Sequence, residues 1–82
     1  MANINNTNTI YIESFPHGGM CAVINSYEKA IDRMEQPDHG QIFITDKKTF
    51  KNFFKIAKEA FFEDPAGWAL RQCINRKITK TL

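Results

Sequence analysis

The stretch "TIYIESFPHGGMCAVINSYEKAIDRMEQP", residues 9–37, decides the fold, because the spacing of its apolar residues changes within it. Over residues 9–15 side chains alternate, with Ile10 and Ile12 on one side and Tyr11, Glu13 and Phe15 on the other. That period of two is a strand. "MCAVIN" (20–25) is a second strand, apolar on both faces, a composition that suits a central place in a sheet. Between them Pro16-His17-Gly18-Gly19 is predicted as a hairpin loop, since proline presets one turn dihedral and glycine adopts positive φ without steric cost. From Asn25 the period lengthens. Tyr27, Ala30, Ile31 and Met34 fall on one helical face, Asn25 and Glu28 have capping-box spacing, and Pro37 stops the helix.

Outward from this stretch, Asp38-His39-Gly40 turns the chain into "QIFIT" (41–45), a third strand with Ile42 and Ile44 on one side and Phe43 on the other. The helical crossover before it is long enough for the second and third strands to be parallel. "DKKTFKNFFKIAKEAFF" (46–62) is an amphipathic helix capped by Asp46. Phe50, Phe53, Phe54, Ala57 and Phe61 recur at three and four residues, and Lys47, Lys51, Lys55 and Lys58 run along another face. "EDPAGWALRQCIN" (63–75) restarts helix, with Asp64 as N-cap, Pro65 at the first helical position, and Trp68, Ala69, Leu70, Cys73 and Ile74 turned inward. Residues 1–8 are asparagine-rich, with little apolar surface to offset the entropy of ordering, and are expected to be a disordered tail. The expectation is one α+β domain over 9–82: a small three-stranded sheet in ββαβαα order, covered by the phenylalanine-rich helix and a C-terminal helix.

Size limits the chemistry. A chain of 82 residues buries roughly 60–65% of its unfolded surface, which argues against a deep catalytic cleft. Its 43% hydrophobic and 24% charged residues are ordinary for a soluble domain. Cys21 and Cys73 are far apart and sit in apolar segments, so they read as reduced, packed thiols rather than a secreted disulfide framework. The start "MANINNTNT" lacks the basic and apolar regions of a signal peptide, and no apolar run reaches bilayer length. A cytoplasmic location is expected.

Each chemical reading of the reactive residues lacks a required part. His17-Gly18-Gly19 could line an oxyanion pocket, but there is no Gly-x-Ser-x-Gly elbow to supply a nucleophile. Of the candidate ligands His17, Cys21, His39 and Cys73, only the first two approach the close spacing of a structural zinc site. Cys21 with His39 as base would need an electropositive, partly exposed thiolate, and its neighbours are Met20 and Ala22. Gly18-Gly19 leads into a strand rather than a helix N-terminus, so it is no phosphate loop. Glu13, Glu28, Asp32 and Glu35 read as solvated faces. No catalytic residue, cofactor or metal is expected.

Binding remains, and the charge layout speaks to it. Residues 1–45 carry net −3 and residues 46–82 net +5. The lysine stripe and the "RKITK" tail could meet nucleic acid, an acidic protein or anionic lipid. Lipid would require exposing the phenylalanine face that the core needs, so no membrane partner is expected. The helices joined by "EDPAG" could imitate a helix-turn-helix reading bases with Arg71, Gln72, Asn75 and Arg76. Tyr11, Phe15 and Phe43 would form an aromatic patch on the sheet face away from the isoleucines, of the kind that anchors protein interfaces.

The expected partner-binding residues are therefore Tyr11, Phe15, Phe43, Lys47, Lys51, Lys55, Lys58, Arg71, Arg76 and Lys77. Their expected partner is another protein or a nucleoprotein complex, with nucleic acid along the basic half as the alternative. By analogy, the size and split charge suit a regulatory or inhibitory protein, such as a phage or mobile-element inhibitor of a host nucleoprotein complex, the anti-CRISPR type. The pattern carries no signal of oligomeric state.

Overall fold

Strand β1 (Thr9–Ser14) is the centre around which the other elements assemble. It pairs antiparallel with β2 (Cys21–Ile24) on one side and with β3 (Gln41–Asp46) on the other. A two-residue strand β4 (Lys80–Thr81) pairs antiparallel with β3, giving a four-stranded sheet in the order β2-β1-β3-β4. Three helices complete the α+β fold: α1 (Tyr27–Met34), α2 (Lys47–Ala60) and α3 (Pro65–Asn75). The computed structural model describes residues 8–16, 19–60 and 63–82. All of the expected tail but Asn8, together with His17, Gly18 and Phe61, lies outside the described residues.

Three expectations are corrected here. The sheet has four strands, because "KT" near the chain end adds to β3, and two residues are too few to show an alternation. β2 is an edge strand, although it is apolar on both faces; Ala22 and Val23 are exposed rather than covered. β2 and β3 run in the same direction with α1 between them in sequence, but β1 separates them in the sheet, so they form no parallel pair.

Both faces of β1 are buried, which makes it the core of the molecule. Ile10 and Ile12 lie on the face that packs against Leu70 and Cys73 of α3, with Phe43, Phe50, Phe53, Ile74 and Cys21 around them. Tyr11 turns to the opposite face and packs with Ile24, Ile42 and Ala30 of α1, and with Ile44 and Leu82. Register accounts for the partition. Ile12 stands opposite Phe43 and Tyr11 opposite Ile44, and directly paired residues project to the same face. α1 and the lysine-rich α2 thus cover opposite faces of the sheet, and α1 itself carries no net charge, with Glu28 and Asp32 balanced by Lys29 and Arg33.

Side-chain caps fix where the helices begin. The Asp46 carboxylate accepts from the Thr49 N–H at 2.7 Å and from the Thr49 hydroxyl at 3.1 Å, and Asp64 accepts from the Gly67 N–H at 3.0 Å. Both satisfy donors that the first helical turn leaves without carbonyl partners. The cap of α1 is Ser26, whose hydroxyl accepts from the Lys29 N–H at 3.1 Å, in place of the expected Asn25. At the other end of α3, Lys77 adopts a left-handed φ of 57° and its N–H reaches the Ile74 carbonyl at 3.2 Å.

Candidate functional site

At the end of the sheet where β1 stops and β2 and β3 start, a carboxylate is buried inside the fold. Glu13 is only 2% exposed, and both of its oxygens are engaged. Arg33 of α1 donates from Nε to Oε1 at 2.8 Å and from Nη2 to Oε2 at 2.7 Å, and the Gly40 N–H donates to Oε2 at 2.8 Å. The Arg33 bond and the Gly40 amide hold the Glu13 carboxyl below the ordinary carboxylate range, against the opposing effect of burial, and Glu13 in turn raises Arg33. The guanidinium also lies over the Phe15 ring, 6.0 Å from its centroid. The expectation of a solvated Glu13 is thereby corrected. Alternation predicts that Glu13 shares a face with Tyr11, but nothing local in sequence announces a partner 20 residues away.

Two of the clamp's contacts, Phe15 and Gly40, line two adjoining hollows. One, of about 520 Å³, is lined by Phe15, Pro16, Met20, Asp38 and His39. The other, of about 380 Å³, is lined by Ser14, Pro16, His39, Gly40, Gln41, Phe43, Arg71 and Ile74. They share Pro16 and His39. The first is walled mainly by apolar side chains, and Met20 at its edge is 67% exposed. His39 donates from Nδ1 to the Gly40 carbonyl at 2.7 Å, and Arg71 donates from Nη2 to the Gly19 carbonyl at 2.8 Å, tying α3 to the β1–β2 connection. Gly40 is required where it is, because a Cβ there would overlap the Ser14 carbonyl.

Of the residues expected to bind a partner, Phe15, Phe43 and Arg71 come together around these hollows. Tyr11 does not join them. It is 8% exposed, beneath α1 and 6.2 Å from the Tyr27 ring, and it lies on the opposite sheet face from Phe43. The single aromatic face drawn from the sequence does not exist, because helices cover both faces of the sheet. Lys47, Lys51, Lys55 and Lys58 stand exposed along α2, where Lys51, Lys55 and Lys58 border a shallower hollow of about 240 Å³ with Phe54 and Glu59. Among the described residues none of these ammonium groups is ion-paired, and Lys58 lies 5.7 Å from the Phe54 ring. Arg76 packs over Phe53 at 5.6 Å, and Lys77 closes α3. Arg71 is half-buried, with one guanidinium nitrogen bonded to the Gly19 carbonyl.

Both cysteines are free, and burial pushes the Cys73 thiol up. Among the described residues, no three His, Cys, Asp or Glu side chains gather where they could hold a metal ion, and no helix is long and apolar enough to cross a membrane. Met20, Pro16 and Asp38, which line the first hollow, were missed at the sequence level; they sit in turns, where periodicity carries no information. Comparison with family models, with curated proteins and with solved structures finds no match for this chain.

Proposed function

We propose that this protein is a small non-catalytic binding module whose partner is another protein, seated at the loop end of the sheet. The apolar hollow between Phe15, Pro16, Met20, Asp38 and His39 carries the reading. It is concave, it borders an exposed methionine, and its Phe15 wall packs against the Arg33 guanidinium that is held by Glu13. Apolar seats of this kind take the anchor side chains that dominate protein interfaces. With Asp38 on the lining, the fitting partner segment offers an apolar side chain beside a basic one.

A non-catalytic role accords with the state of the titratable groups. Glu13 is ionised and committed to three hydrogen bonds, so it has no proton to give, and the Cys73 thiol is buried and shifted away from thiolate. Regulation or inhibition of a larger complex, including the anti-CRISPR type, is the role that size and charge split support by analogy. The unpaired lysines of α2 favour a second reading, contact with a polyanion such as nucleic acid.

Affinity capture from a lysate of the source organism, with and without nuclease, separates the two. The protein reading expects a captured protein that survives nuclease and is lost with Met20→Asp. Capture that vanishes with nuclease and is indifferent to Met20→Asp overturns it.

A further inference from the structure

We propose that the outer edge of β2 is a self-association surface, on which a second copy of this chain pairs its own β2 antiparallel to form one continuous sheet. The observation behind it is the state of the backbone along Cys21–Ile24. The Phe15 N–H donates to the Met20 carbonyl at 2.9 Å, and antiparallel pairs alternate between hydrogen-bonded and non-hydrogen-bonded positions. The register of Glu13 with Ala22 and of Tyr11 with Ile24 therefore turns the Ala22 and Ile24 amides toward β1. The N–H and C=O of Cys21 and Val23 point the other way. β1 is the only strand beside β2, so among the described residues these four groups have no ladder partner.

Edges of this kind are normally blocked by charge, by proline, by extreme shortness or by an overhanging helix. The opposite edge of the same sheet follows that rule, since β4 is two residues long and carries Lys80. β2 does not. It is uncharged and free of proline, and it is exposed on both faces: Val23 is 49% exposed on the α3 side and Ala22 is exposed on the α1 side. Neither helix overhangs it at these positions.

The strand is also its own complement, which selects a second copy over an unrelated peptide. Antiparallel pairing about a two-fold axis at Ala22 sets Cys21 against Val23 of the other copy, and Val23 against its Cys21, so all four outward groups are matched. Ala22 then faces Ala22 at a non-hydrogen-bonded position, where backbones approach most closely and a small side chain fits. No like charges meet.

Sedimentation over a concentration series tests this, with three variants that leave the β1–β2 ladder intact. The wild type should pass from monomer to dimer as concentration rises. Val23→Lys, which puts a charge on the edge at an already exposed position, should weaken the dimer by about tenfold or more. In a Cys21→Ser background, Ala22→Cys should form a disulfide-linked dimer on mild oxidation, since residues at such a pair lie about 4.5 Å apart at Cα, inside the bridging range of roughly 4.4–6.8 Å. Lys80→Cys in the same background should not. A wild type that stays monomeric up to its solubility limit overturns the proposal, as does a dimer indifferent to Val23→Lys that fails to cross-link at Ala22. A monomer that instead adds an unrelated extended peptide at this edge also overturns it.

Discussion

Arg33 reaches from the last turn of α1 to grip both carboxylate oxygens of Glu13 on the central strand, at 2.8 and 2.7 Å. Glu13 is buried while Arg33 is part-exposed, so the two ends of the pair are not equivalent. Replacing Arg33 leaves a buried carboxylate with only the Gly40 amide. Arg33→Met is expected to destabilise the fold, because it strips a buried carboxylate of its cation, measured as a lower midpoint in urea denaturation. Glu13→Gln with Arg33 retained should cost less, because the freed guanidinium can turn to water.

The same pair sets a dependence on pH. Its hydrogen bonds hold Glu13 below its ordinary value, so the unfolded chain takes up its proton first as pH falls. The stabilisation is complete above the unfolded carboxylate range, about pH 4.3, and is lost as pH drops through the lower folded-state value. Asp46, held down by its Thr49 bonds, adds a dependence of the same sign. Stability curves of wild type and Arg33→Met should converge on acidification. Curves that stay parallel below pH 4 would show that Glu13 is not the linked group.

Two glycines should respond differently to alanine. At Gly67 the nearest atoms to an added Cβ are those of the Asp64 capping carboxylate, which can swing away at the cost of the cap, about 1 kcal/mol. Asp64→Ala and Gly67→Ala should then be strongly non-additive in a double-mutant cycle. At Gly40 the obstacle is the Ser14 backbone, which cannot move without opening the sheet end. Gly40→Ala should be the more damaging of the two by thermal denaturation.

Lys77 holds a left-handed conformation that glycine adopts without a Cβ penalty. Lys77→Gly is expected to raise stability by about 0.5–1 kcal/mol. A loss of stability on calorimetry would mean that the lysine side chain contributes contacts outweighing the backbone strain.

Much of this architecture was legible in the sequence for local reasons. The alternation of Thr9–Ser14, the switch of period after Asn25, and the Asp46 and Asp64 caps depend only on neighbours along the chain, and each is found in place. What failed depends on partners distant in sequence. β1 is buried on both faces, so its pattern cannot tell which residues of β3 share a face with Ile10; the register puts Phe43 there and sends Ile42 and Ile44 to the Tyr11 face. β2 reads as central by composition and is an edge, with its apolar side chains half in solvent. Glu13 reads as solvated because its neutralising cation comes from another element. The hollows at the sheet end were hidden for the same reason: Phe15, Met20 and His39 meet only once β1, β2 and β3 are in register.

The central claim is that a protein partner is held by the loop end of the sheet and not by the lysines of α2. The measurement that bears on it most directly is the affinity of the captured, purified partner for two variants, Met20→Asp and the triple Lys51→Glu, Lys55→Glu, Lys58→Glu. Loss of an anchor contact costs on the order of 2 kcal/mol, about thirtyfold in Kd, and that loss is expected for Met20→Asp, while the triple variant mainly alters the association rate. The opposite pattern, with affinity collapsing in the triple variant, falling steeply with salt in the wild type and unchanged in Met20→Asp, would contradict the account and assign binding to the basic face.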